Sequence, residues 1–81
     1  MKVVTVKFRG KDGFGTPYSY LCEEYLEQQL EAGQWVIVEN DRNKYGIGVY
    51  FGVSEDQDYK SKPFEFKKVV STTMLPKENV L

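Results

Sequence analysis

Apolar and polar positions alternate most regularly between Gly33 and Val53, where two apolar runs flank the polar segment Glu39 to Lys44. This pattern predicts a β-hairpin. In its second arm Tyr45, Ile47, Val49, Phe51 and Val53 alternate with Gly46, Gly48, Tyr50 and Gly52, so the odd-numbered side chains are expected to face an interior and the glycines to form a bare outer face. The first arm, Trp35 to Val38, is apolar on both faces. Upstream, Val4, Val6 and Phe8 alternate with Thr5, Lys7 and Arg9 as in a half-buried strand. Three glycines and Pro17 then make a loop of residues 10–17, with Phe14 in it lacking an obvious packing partner. Tyr18 to Leu21 reads as a short strand in which Tyr18 and Tyr20 share a face.

The period changes between Glu23 and Leu30. Leu26 and Leu30 are four apart with polar residues between them, which predicts one or two helical turns ended by Gly33. After the hairpin come an acidic loop from Ser54 to Lys62 and a last strand from Phe64 to Val70, with Phe64 and Phe66 pointing the same way. Residues 71–81 read as an extended C-terminal tail. Five short strands, one helical turn and glycine-rich bending predict an all-β fold, a single small five-stranded SH3-like barrel spanning residues 1–81. If closure pairs the first strand with the last, the basic segments 2–12 and 60–68 become neighbours.

Composition narrows the chemistry. The chain has 81 residues, enough for one core, and 15% of them are aromatic, which suits a compact interior. There is no histidine and Cys22 is the only cysteine, so no intrachain disulfide, Cys/His zinc site or His-activated nucleophile can form. Glu23 and Glu24 beside Cys22 raise its thiol pKa and do not activate it. The glycines at 46, 48 and 52 lie within a strand with no helix after them, unlike a phosphate loop. The acids Glu55, Asp56 and Asp58 lack the ligand spacing of a calcium loop. No enzyme activity, cofactor or metal is therefore expected. No apolar run approaches a membrane span and the N-terminus lacks a secretory pattern, so no membrane partner and a cytoplasmic location are expected.

Net charge is −1, but it is unevenly spread. Lys2, Lys7, Arg9 and Lys11 stand against Asp12, and Lys60, Lys62, Lys67 and Lys68 against Glu65. Acids gather at Glu23, Glu24, Glu27 and Glu31 and again at residues 55–58. The first functional expectation is a protein-binding module, with Phe14 as apolar anchor and Glu23, Glu24, Glu27, Glu55, Asp56 and Asp58 meeting a basic partner. Among aromatics, Phe14, Tyr50 and Tyr59 are expected to be exposed and Trp35 and Tyr45 to belong to the core.

Tyr18-Ser19-Tyr20-Leu21, the Glu-rich turn to Leu30, Gly33-Gln34-Trp35-Val36-Ile37-Val38, the glycine-bearing strand to Val53 and Phe66-Lys67-Lys68-Val69-Val70 occur in an order that resembles the N-terminal DNA-binding domain of the primosomal replication-restart helicase. That resemblance implies a small β-barrel holding a DNA 3′ end. It places Tyr18, Tyr20 and Lys67 where the family has its pocket aromatic, tyrosine and lysine; Lys7 and Arg9 add cations for a DNA-binding alternative. Ser19 stands where the family has an aspartate for the terminal hydroxyl, and Asp41 where a glycine lets the backbone approach the nucleotide. The chain also looks like small phage-encoded accessory proteins on the same barrel, which implies a non-enzymatic module that binds a host or phage protein in the host cytoplasm. Nothing in the sequence names that partner or sets an oligomeric state.

Overall fold

The computed structural model describes residues 1–41 and 44–80. The fold is all-β with one short α-helix among the described residues, as the sequence pattern predicts. β1 (Lys2–Lys7) is rich in β-branched residues whose stiff χ1 suits a pleated surface. Next come β2 (Arg9–Gly10) and β3 (Gly13–Phe14), a short ribbon inside the expected loop. The order continues with β4 (Tyr18–Cys22), α1 (Glu24–Glu27), β5 (Trp35–Glu39), β6 (Tyr45–Val53) and β7 (Val69–Thr72). The five longer strands form one antiparallel sheet in the order β4-β1-β6-β5-β7.

The sheet curls until its two outer strands meet. Leu21 in β4 and Lys68 just ahead of β7 form a single parallel bridge, with the Leu21 N–H donating to the Lys67 carbonyl at 2.8 Å. Closure therefore joins β4 to β7. The expected pairing of first and last strands does not occur, because β1 is central and both of its edges are taken, by β4 and β6. The basic segments 2–12 and 60–68 are not joined strand to strand.

The face of β6 that lines the interior is the reverse of the sequence expectation. Tyr45 is 66% exposed and Ile47 46%, whereas Tyr50 is 4% exposed and belongs to the core with Val4, Val6, Val36 and Val38. Gly48 is buried beneath Val6 and Phe8: a Cβ built on it would lie 2.6 Å from Val6 Cγ1 and 3.1 Å from Phe8 Cε1. The bare face is thus the concave one. A strongly curled sheet crowds its inner side, and glycine there leaves the volume that the facing strand fills. On the convex side Val49 is still fully buried, flanked in register by Lys7 and Trp35, so Trp35 is a half-buried outer-wall residue and not a core one. A bulge opposite Thr5 and Val6, with Gly52 at φ +127°, bends the end of β6.

The two ends are closed differently. Leu26 of α1 and Leu30 beyond it pack under the core, giving this short turn a tertiary reason to form. The helix stops at Glu27, well before Gly33. Gly33 instead docks the tail: at φ +101° it donates to the Tyr50 carbonyl and accepts from the Glu78 N–H, both at 2.8 Å. The last strand also lies later than its pattern implies. β7 takes in Ser71 and Thr72, while Phe64 and Phe66 precede it in irregular chain. No helix of the described residues is long and apolar enough to cross a membrane.

Candidate nucleic-acid interface

Strand register sets two tyrosines on one face of β4, and the closing bridge brings Lys67 to the same strand. Tyr18 stands opposite Val6 and Tyr20 opposite Val4, so both rings follow the interior face, two residues apart. Phe8 meets both edge-to-face, with centroids at 5.7 Å from Tyr18 and 6.4 Å from Tyr20. Tyr20 is buried while Tyr18, at 53% exposure, forms the rim. Burial pushes the Tyr20 phenol up from its ordinary pKa, and the neighbouring Tyr18 and Asp41 push it in the same direction. Lys67, positioned by the bridge at Leu21, sets its Nζ 3.0 Å from Asp41 Oδ1. Asp41 thus pairs directly with Lys67 and acts on Tyr20 only through its charge.

Beside it lies a recess of about 200 Å³ lined by Glu39, Asn40, Lys44, Tyr45 and Lys67. The Asn40 N–H donates to the Lys44 carbonyl at 2.9 Å, closing the base of the predicted hairpin turn, whose Arg42 and Asn43 lie outside the described residues. The Glu39 carboxylate accepts from the Lys68 N–H at 2.8 Å, holding the approach to β7 against β5.

The other cations expected at this site lie elsewhere. Lys7 points to the outer wall, where its Nζ sits 4.4 Å from the Phe51 ring centroid. Arg9 pairs with Glu78 at 3.0 Å and lies 5.5 Å from the Phe14 ring. Phe14 itself packs edge-to-face on Phe51, centroids 5.1 Å apart, so it has the partner the sequence pattern did not reveal. The β2–β3 ribbon is what carries it there. Of the remaining aromatics, Tyr59 is half-buried, and Tyr50 is enclosed where exposure was expected.

The acidic residues gather at the far end of β1. Cys22 pairs with Lys2, which puts Glu23 and Glu24 just beyond that end; Val53 pairs with Val4, which puts Glu55 beyond the same end. The N-terminal ammonium reaches Glu24 at 3.8 Å. Two of the loop acids serve the loop itself. Lys62 bonds Asp56 at 2.9 Å and holds its carboxyl below the usual range, while the Ser61 hydroxyl and N–H do the same for Asp58. Gln57 ties this loop to β1, its side-chain oxygen accepting from the Val3 N–H and its amide donating to the Val3 carbonyl, each at 2.8 Å.

Cys22 is fully enclosed. Burial, then Glu27 and Glu23, pushes its thiol up to about 11, which disfavours the nucleophilic thiolate. Among the described residues no group of three or more acidic or cysteine side chains is placed to hold a metal ion. Compared with known proteins, the chain matches no family model, no curated protein and no solved structure.

Proposed function

We propose that the chain is a non-enzymatic binding module whose mouth takes the 3′ end of a single DNA strand. The observation that supports this reading is the closure that bonds the Lys67 backbone to β4 beside Tyr20, with Tyr18 exposed two residues further along that strand. Exposed Tyr18 offers a face for the terminal base, and stacking of this kind contributes about 1 to 3 kcal/mol per base. Lys67 supplies the cation for a phosphate. Asp41 now occupies that cation, so a bound phosphate must displace its carboxylate. An exposed ion pair is worth only about 0 to 1 kcal/mol, so the displacement is feasible but lowers affinity.

Fluorescence anisotropy with 3′-hydroxyl and 3′-phosphate oligonucleotides at two salt concentrations tests the reading. Binding strongest at low salt, lost in Lys67→Ala, is expected; no binding at low salt overturns it. Asp41→Asn removes the competing carboxylate and should tighten binding by up to about fivefold.

A second reading rests on the acidic end. Glu23, Glu24 and Glu55 gather at one end of β1, which favours a basic protein partner there, as for a phage-type accessory protein acting in the cytoplasm. Exchanging these three for glutamine should abolish co-purification of such a partner. A partner retained by the triple variant would remove this reading.

A further inference from the structure

The segment from Tyr59 to Lys68 interleaves three aromatic rings with four lysines and has no regular secondary structure. Phe64 and Phe66, two residues apart, stack on one another with centroids 5.1 Å apart and planes 9° from parallel. They are not part of the core: Phe64 is 59% exposed. Together with Tyr59 and Leu21 they wall a cleft of about 530 Å³, rimmed by Lys60, Lys62 and Lys68 against a single acid, Glu65.

The rim cations differ in how they are held. Lys62 is bound to Asp56 at 2.9 Å, whereas Lys60 lies 6.0 Å from the Tyr59 ring centroid. Among the described residues neither Lys60 nor Lys68 forms an ion pair. An uncharged lipid or apolar peptide would use the walls and leave this rim unanswered. An acidic peptide would answer the rim but has no flat ring to lay on the walls. A nucleotide answers both, with its base on the aromatic faces and its phosphate at the lysines.

The cleft also adjoins the mouth. Leu21, on its wall, donates its N–H to the carbonyl of Lys67, and Lys68 on its rim is the next residue along. We infer that this cleft is a second subsite for single-stranded nucleic acid, holding the nucleotides that precede the 3′-terminal one. The inference rests on the mouth reading above and extends it along the strand.

The test measures affinity against length, with 5′-fluorescein oligothymidylates of two to six nucleotides. Wild type is expected to gain affinity as the strand grows into the cleft, by roughly 5- to 150-fold for each stacked base. Phe64→Ala with Phe66→Ala should lose that gain and keep the affinity for the dinucleotide. An extension carrying abasic sugars should recover only the part due to phosphate. The double substitution lies outside every strand, and circular dichroism and a thermal melt check its fold. Lys60→Gln with Lys68→Gln provides a second variant should the first not fold, with the expected loss again confined to the longer strands.

Each contrary outcome is distinct. If the longer strands bind either variant as tightly as wild type, the cleft inference fails and the mouth reading stands. If a polyglutamate peptide displaces the longer strands down to dinucleotide affinity, the cleft belongs to acidic peptide and the inference fails. If wild type binds no oligonucleotide at low salt, both fail together.

Discussion

Replacing Gly48 by alanine adds one methyl group to the concave face of β6 and tests which face of that strand is inside. The new Cβ would stand 2.6 Å from Val6 Cγ1, 3.1 Å from Phe8 Cε1 and 3.3 Å from the Lys7 carbonyl. Val6 is fully buried and β-branched, so it has little freedom to withdraw. Overpacking of this kind costs about 1 to 3 kcal/mol, against about 0.4 to 1 kcal/mol gained by restricting the unfolded chain. The clash wins, leaving a net loss of roughly 1 to 2 kcal/mol from a domain that holds about 4 to 12. For a domain of this size that lowers Tm by about 4 to 16 °C. Thermal and urea unfolding of Gly48→Ala and of Gly46→Ala make the measurement. At Gly46 the nearest atom to a Cβ is 3.9 Å away, so that variant should match or slightly exceed wild type. If Gly48→Ala is as stable as Gly46→Ala, its methyl points to water, and the inward glycine face is refuted.

Three further outcomes follow from the same geometry. Gly33→Ala places a side chain in a left-handed backbone and against the Glu78 carbonyl, so it should destabilise by about 1 to 3 kcal/mol and speed hydrogen exchange at the Glu78 amide. Cys22 should react with a thiol reagent only through unfolding, at a rate that denaturant raises. Its thiol titrates near 9.0 when unfolded and about 11 when folded, so between these values the unfolded chain loses its proton first; stability then falls as pH rises, by on the order of 2 kcal/mol across the window, as pH-dependent urea unfolding would show. The raised phenols of Tyr20 and Tyr50 continue the fall above pH 10.

The strands were legible because β-branched and aromatic alternation is local. β1, β4 and the β5–β6 hairpin lie where the pattern puts them. Which face of β6 turns inward is a different kind of fact. A strand of large side chains alternating with glycine reads as large-in, glycine-out on a flat sheet; on the inside of a tight curl the order of preference reverses, because the facing strand already fills the space. Phe64 to Val70 misleads in the opposite way. Its alternation is that of a strand, yet the edge of β5 is taken only from Lys68 onward, so Phe64 and Phe66 stack on each other outside the sheet. Of the candidate site, Tyr18 and Tyr20 share their predicted face, and Lys67 joins β4 at Leu21 through a closure no local pattern encodes. Lys7 and Arg9 were separated from them by strand parity, and Phe14 was carried to Phe51 by a two-residue ribbon that glycine spacing alone did not predict.

The aromatic-walled cleft opens along the seam where β4 meets the approach to β7, and Lys67, on the wall of the smaller recess, is bonded to the same seam. Every other junction in the five-stranded sheet is a ladder of at least three pairs, whereas this one rests on a single bridge. An edge so thinly paired leaves backbone donors and acceptors uncovered, a liability that proteins often manage with charge. Lysines line this seam, as that reasoning requires, but protection against aggregation does not call for Phe64 and Tyr18 to stand exposed there as well. Exposed rings on an unprotected edge would invite self-association, so their presence favours an occupant that covers them. Oligonucleotide binding along the seam should therefore slow exchange of the Leu21 amide, which bridges the two edges, while leaving the amides of the central strand β1 unchanged. Equal protection at both places would mean that the ligand stiffens the whole barrel and does not lie on this edge.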